Sequence, residues 1–213
     1  MKKERPILFS TEMVKAILEG RKTQTRRTKG LELINANPDD WQFEWADFAL
    51  KQPYRFTKKS SVNEKSLSDR SFHQEAIACS YGKPGDILWV RETWDYGYPY
   101  AYKADGVAAI GKWRRSIHIP KKAARLWLEI TSVRVERLNE ISEQDARKEG
   151  VVRNYLVGFA RGSEEWKNYS NDSMILNNAT KSFMSLWESI NGEDSWNTNP
   201  FVWVIEFKQI KKP

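Results

Sequence analysis

The 213-residue chain is poor in the residues that make covalent or metallic staples. A single cysteine, Cys79, excludes an internal disulfide and fits a reducing compartment. With two histidines, His73 and His118, and no pair of cysteines at ligand spacing, the chain lacks the donors of an ordinary zinc site. No metal and no cofactor are expected. Long apolar runs are missing too. "PILFSTEMVKAIL" is broken by Ser, Thr, Glu and Lys, so it is neither a secretory core nor a membrane span. A soluble, cytoplasmic protein without a membrane partner is the expectation. There is no repeat with a period of roughly 20 to 50 residues. The regular strand and helix alternation of a doubly wound fold is also absent.

What the chain does have is aromatic bulk and unevenly placed positive charge. Ten Trp, eight Tyr and nine Phe supply ample apolar area for a core. The net charge of +7 is concentrated: residues 1–30 hold nine Lys or Arg against three Glu, and residues 103–125 hold seven against one Asp. Two basic segments in an otherwise mildly acidic chain point to a polyanion-facing surface if folding joins them, or to two separate solvated faces if it does not.

"FSTEMVKAILEG" predicts a first helix capped by Ser10 or Thr11 and stopped by Gly20. "KTQTRR" after it is either extended, with Lys22 and Thr25 on opposite faces, or a turn that lets them share a side. "GKPGD" is a turn leading into a strand at "ILWVRETW", and Asp105-Gly106 predicts a hairpin turn. "RLWLEITSVRVERL" reads as the longest strand, with a phase shift at Val133 and Val135. "ISEQDARKEG" predicts a short helix with Ser142 as N-cap and Asp145 as its capping-box partner. "ATKSFMSLWESING" predicts a helix burying Phe183, Leu186, Trp187 and Ile190, and "FVWVIEFKQI" a final strand. The polar stretches "TKKSSVNEKSLSDRS" and "RGSEEWKNYSNDS" read as loops or variable segments. This order implies one α+β domain around a mixed or closed sheet.

At "ILEGRKTQTRR", "KPGDILWVRETW", "ERLNEISEQDARKEGV" and "NPFVWVIEF", in that order, the sequence resembles the ASCH family of the PUA-like superfamily. The likeness is greatest to the larger, Trp-rich ASCH proteins of bacteriophage and prophage genomes. It covers residues 5–30, 82–150 and 180–210, and makes 31–81 and 151–179 insertions. The resemblance implies a PUA-like β-barrel with peripheral helices around a cleft, and binding of RNA or a modified nucleoside, with DNA an alternative. A compact branch of the family hydrolyses the N4-acetyl group of acetylcytidine without a metal, using a Lys, a Thr and a Glu. These fall on Lys22, Thr25 and Glu149 here. This chain differs from that branch in its length, its insertions and its aromatic content.

Acyl transfer from an exocyclic amine needs a nucleophile, a base to deprotonate it and an acid for the departing nitrogen. Thr25 offers a hydroxyl, which requires a neighbouring base. Lys22 can be that base if burial and adjacent arginines lower its pKa, with Glu149 orienting it or shuttling the proton. The plainer readings are Lys22 as a phosphate contact or helix-end cation, Thr25 as an ordinary strand residue, and Glu149 as a helix-end carboxylate. Arg21, Arg26 and Arg27, with Arg91 of the following strand, are expected to hold substrate or phosphate. Trp113 with Arg114, Arg115, Lys121, Lys122 and Arg125 suits a groove that tracks a nucleic-acid backbone, or a charge-protected hairpin edge. The alternatives to an amidohydrolase are a non-catalytic RNA or DNA reader, a ribonuclease and a protein-interaction factor.

Overall fold

A computed structural model describes residues 2–46, 53–59, 74–97, 99–154, 165–171 and 174–213. In chain order its strands are β1 (Glu4–Leu8), β2 (Gln24–Arg27), β3 (Trp41–Ala46), β4 (Tyr54–Lys58), β5 (Gln74–Ile77), β6 (Ile87–Arg91) and β7 (Trp94–Asp95). They continue as β8 (Ala101–Tyr102), β9 (Trp127–Arg137), β10 (Arg153–Asn154), β11 (Glu165–Lys167), β12 (Ile175–Leu176) and β13 (Phe201–Ile210). The α-helices are α1 (Thr11–Leu18), α2 (Glu32–Asn35), α3 (Glu143–Lys148) and α4 (Ala179–Asn191). The architecture is α+β with several sheets.

The central five-stranded sheet has the order β1-β6-β9-β13-β2. β1 runs parallel to β6, and the other three pairings are antiparallel. If this sheet were flat, its edge strands would lie about 19 Å apart, because neighbouring strands are spaced by about 4.8 Å. Yet the Arg27 guanidinium on β2 donates to the Leu8 carbonyl at the end of β1 over 2.7 Å. A gap of about 19 Å exceeds the reach of one side chain, so the sheet curls until its edges face each other. The two edges do not pair, and among the described residues the curl stops short of a closed barrel.

β9 and β13 form the spine, and their β-branched and aromatic residues bury Leu128, Ile130, Val133, Val204 and Ile205. Ile130 opposes Phe207 while Ser132 opposes Glu206, leaving exposed Thr131 as an extra residue. This bulge is the cause of the phase shift visible in the sequence of β9. Strands β3, β4 and β5 form a separate sheet that shares the main core: Tyr54 meets Trp203 edge-on at 4.6 Å and Phe56 meets Phe201 at 5.4 Å. Trp166 of β11 joins the same core.

Side chains cap all three longer helices, two of them at serines expected from the sequence. The Ser10 hydroxyl accepts from the Met13 N–H, the Ser142 hydroxyl from the Asp145 N–H, and the Asn178 side chain from the Lys181 N–H. Glu143 of α3 adds a second cap to α4, its two carboxylate oxygens accepting from the Ala179 and Thr180 N–H groups at 2.9 Å each. The two helices are thereby tied end to side.

Several expectations are corrected. β1 lies in a segment for which the sequence predicted no strand, since its charged and proline-containing run hides the alternation. The hairpin joins β7 to β8, whereas Asp105-Gly106 closes a short 3-10 turn in which Gly106 has φ 72°. Asp145 does not complete a capping box, because its carboxylate turns to Arg134. Ile190, predicted in the apolar stripe of α4, is 58% exposed. Most of "TKKSSVNEKSLSDRS", and Arg161–Glu164 with Asp172 and Ser173 in "RGSEEWKNYSNDS", lie outside the described residues. Among the described residues no helix is long and apolar enough to cross a membrane.

Candidate functional site

The predicted reaction loop leaves α1 through Gly20, whose φ of 74° suits a residue without a Cβ. The chain then turns back. The Lys22 N–H donates to the Ala16 carbonyl and the Thr23 N–H to the Lys148 carbonyl, each at 2.9 Å, so the loop is fastened to the ends of both α1 and α3. Lys22 therefore precedes the strand rather than belonging to it, and the turn alternative places it on the cleft side with Thr25. Gly150 makes this approach feasible. A Cβ there would lie 2.8 Å from the Lys22 Cβ and 2.9 Å from the Ala16 Cβ.

Lys22 and Glu149, far apart in sequence, meet directly. The Lys22 Nζ lies 2.9 Å from Glu149 Oε2 and 2.8 Å from the Glu149 carbonyl, and both side chains are almost wholly buried. The other carboxylate oxygen of Glu149 accepts from Arg26 Nη1 at 3.1 Å. Arg26 Nη2 in turn contacts Glu136 at 2.8 Å and Asp145 at 3.4 Å. Arg134 binds Asp145 at 2.9 Å, Glu206 at 2.7 Å and also Glu136. Positive and negative groups thus alternate from Lys22 through Glu149 and Arg26 to the outer face of the sheet. Such a series satisfies charges that would each be costly to bury alone.

Burial is the largest influence on Lys22 and pulls its ammonium below the ordinary lysine value. The Glu149 charge and hydrogen bond oppose this, while Arg27 and Arg26 add to the depression. Lys22 also sits 5.7 Å from the centre of the Phe9 ring, and the Arg27 guanidinium 5.1 Å from the same ring.

Thr25 lies on β2 opposite Ile205 and lines the same cleft as Lys22 and Glu149. Among the described residues its hydroxyl has no hydrogen-bond partner, in contrast to the fully engaged Lys22 and Glu149. The cleft has a volume of about 460 Å³ and opens between the two edges of the curled sheet. Its far wall is apolar, formed by Phe9, Met13, Phe183, Leu186 and Trp187, with Arg27 and Arg115 at the rim. The arrangement can therefore hold a flat, partly apolar molecule against an unpartnered hydroxyl and a buried amine with a lowered pKa. Among the described residues no group of three or more His, Cys, Asp or Glu is arranged to hold a metal ion.

The predicted anion-binding residues divide. Arg26 is buried and committed to carboxylates, so it positions Glu149 and does not grip an incoming anion. Arg21 donates to the Gly150 carbonyl and pairs with Glu19, clasping the loop from outside. Arg91 stacks on Trp89 at 4.7 Å and donates to the Ile117 carbonyl. Arg125 makes a two-point bridge to Glu92 at 2.9 and 3.0 Å and also binds Asp105, and Lys121 pairs with Glu4. Lys122 is exposed, with its carbonyl accepting from Lys212. Trp113 is half-buried, while Arg114 and Arg115 are exposed. Only Arg27 and Arg115 of the predicted cations outside the Lys22, Arg26 pair line the cleft.

Sequence reasoning missed Glu136, Asp145 and Arg134 as supports of the site. A signal existed: in "SVRVER" the polar Arg134 and Glu136 alternate with buried Val133 and Val135, placing two charges on one strand face. Set against known proteins, the chain matches no family model, no curated protein and no solved structure.

Proposed function

We propose that the curled sheet is a PUA-like barrel of the ASCH type, and that its cleft hydrolyses an N-acyl bond on the exocyclic amine of an acetylcytidine-type nucleoside. The observation that carries this reading is the buried Lys22–Glu149 contact in a cleft that Thr25 also lines. The motif resemblance in "GRKTQTRR" and "ISEQDARKEG" falls on the same three residues.

In the proposed reaction the neutral Lys22 amine takes the Thr25 hydroxyl proton as the oxygen attacks the acyl carbon. The bond to the exocyclic nitrogen breaks, the Lys22 ammonium returns the proton to that nitrogen, and an acyl ester remains on Thr25. Water, deprotonated by the same amine, attacks the ester carbon, and the Lys22 ammonium gives that proton to the Thr25 oxygen as its bond to the acyl group breaks and the acid leaves. Glu149 orients the amine and balances its charge when protonated, and Arg26 holds Glu149 in place. The apolar wall accommodates the base and excludes water.

The test is chromatographic detection of cytidine after incubation with N4-acetylcytidine. Thr25→Val should abolish turnover while leaving the fold intact, and Lys22→Met should reduce it by at least about a hundredfold, the lower range of a general base contribution. Absent wild-type turnover of N4-acetylcytidine and related acylated nucleosides, or equal turnover by Thr25→Val, overturns the reading.

A further inference from the structure

We propose that the cleft takes its base from a single-stranded nucleic acid, whose flanking nucleotides run over a platform made by Tyr96, Arg114 and Arg115. The proposal deepens the reading above by naming the form in which the substrate arrives. It rests on the placement of segment 110–117, which runs from an exposed face to the cleft rim, where Arg115, Ser116 and Ile117 line the opening.

The segment is held as a built surface. The Asp95 carboxylate accepts from the Gly111 N–H at 2.6 Å and from the Tyr96 N–H at 2.8 Å. Arg114 and Trp94 exchange backbone hydrogen bonds of 2.8 and 3.3 Å. Arg91 then fixes the Ile117 carbonyl at 3.2 Å. On this frame buried Trp94 supports Tyr96, their rings edge-on at 6.4 Å, and Tyr100 braces Tyr96 from another side at 6.1 Å. Tyr96 itself is 66% exposed, and the Arg114 guanidinium lies 5.8 Å from its ring centre and 5.5 Å from that of Trp94.

A tyrosine presented to solvent on an aromatic support offers a braced, flat face on which another ring can stack. The charge beside it decides what. Lys112, Arg114 and Arg115 are exposed, and among the described residues none has an acidic partner, whereas Lys121 and Arg125 of the same basic stretch are neutralised by Glu4, Glu92 and Asp105. Three uncompensated cations next to a stacking ring match a polyanion with flat bases, and the ring stacks any base without reading its identity. The extended backbone at Arg115 sends adjacent side chains to opposite sides, so Arg114 serves the platform while Arg115 serves the cleft rim. One strand can then contact both.

The experiment is fluorescence anisotropy with 5′-labelled dodecamers of uridylate and of deoxythymidylate, run across a salt series. Both Tyr96→Ala and Arg114→Gln should weaken binding by about fivefold or more, the effect of losing one stacked base. Three phosphate contacts predict a slope of log affinity against log salt of about −2, and Arg114→Gln should flatten it by about 0.7. Lys83→Ala, at the opposite end of β6, should bind as wild type does. Binding of the RNA alone, or of both oligomers, supports the platform and distinguishes whether a 2′-hydroxyl is read. No binding to either oligomer, or equal binding by both platform variants, overturns it. Turnover of free N4-acetylcytidine by the wild-type protein separates the two proposals: turnover without oligomer binding would leave the cleft chemistry standing and the platform refuted, and oligomer binding without any turnover would leave the platform standing and the chemistry refuted.

Discussion

Replacing Glu149 by Gln tests whether the buried Lys22 and Arg26 depend on that one carboxylate. The substitution keeps shape but removes the charge facing Lys22 at 2.9 Å and Arg26 at 3.1 Å. It also swaps one acceptor oxygen for an NH2 group aimed at a cation. Removing one member of a buried pair costs about 3–5 kcal/mol, because the remaining charge is left uncompensated. The lower end applies here, since Lys22 keeps the Glu149 carbonyl and Arg26 keeps Glu136 and Asp145. About 3 kcal/mol in a chain of this length lowers the melting temperature by about 6–12 °C. Urea denaturation followed by far-ultraviolet circular dichroism reads the loss as a lower midpoint with an unchanged slope. The decisive comparison is the double variant Lys22→Met, Glu149→Gln, which removes the orphaned ammonium along with its partner. It should be less destabilised than the sum of the single variants by about 1–3 kcal/mol. Additive losses, or a Glu149→Gln cost below about 1 kcal/mol, the level of a solvent-exposed pair, would refute a buried and coupled contact.

The same pair makes stability depend on pH in the alkaline range. Burial lowers the folded pKa of Lys22 below its ordinary value, so between the two the unfolded chain binds more protons and its contribution to stability rises with pH. In Glu149→Gln the penalty should therefore shrink as pH rises and Lys22 loses its charge; a penalty independent of pH in denaturation curves between neutral and alkaline buffer would contradict this. At Glu143 burial raises the pKa, but the hydrogen bonds from Thr180 and Ala179 outweigh it and hold the carboxyl below its usual value. Its stabilisation is present above the unfolded pKa and lost as pH falls through the folded one, and Glu143→Ala should cost about 1–2 kcal/mol in line with other N-cap losses. Gly150→Ala should destabilise by more than about 1 kcal/mol, since a Cβ would collide with Lys22 and Ala16 at a φ of 87°. A midpoint equal to wild type in urea would show that the loop yields instead.

Those features of the fold that rest on local chemistry were legible in the sequence. Ser10 and Ser142 cap their helices through short-range bonds, and the alternation in Trp127–Arg137 and Phe201–Ile210 follows from the strand period. β1 was not legible, because Glu4 and Arg5 make partnerships that only the assembled sheet supplies, Arg5 with Asp86 and Glu4 with Lys121. The contact of Lys22 with Glu149 was expected through a motif resemblance, since no local rule links residues so far apart. Arg26 shows the limit of reading charge: two adjacent arginines look alike in sequence, yet Arg26 is turned inward among carboxylates while Arg27 reaches the cleft. Which way each points depends on strand register, and that register is set by β13.

The pairing of β2 with β13 also orders events during synthesis. Thr25 opposes Ile205 and Arg27 opposes Trp203, so nearly the whole chain separates the two halves of this ladder. A nascent chain carries Lys22, Thr25 and Glu149 out of the ribosome well before it carries the strand that seats them. Until Phe201–Ile210 emerges, β2 has no ladder partner, and its charged side chains stay in water. Closing so long a loop is slow, which makes β13 the timing element of the site although it contributes no residue to the cleft.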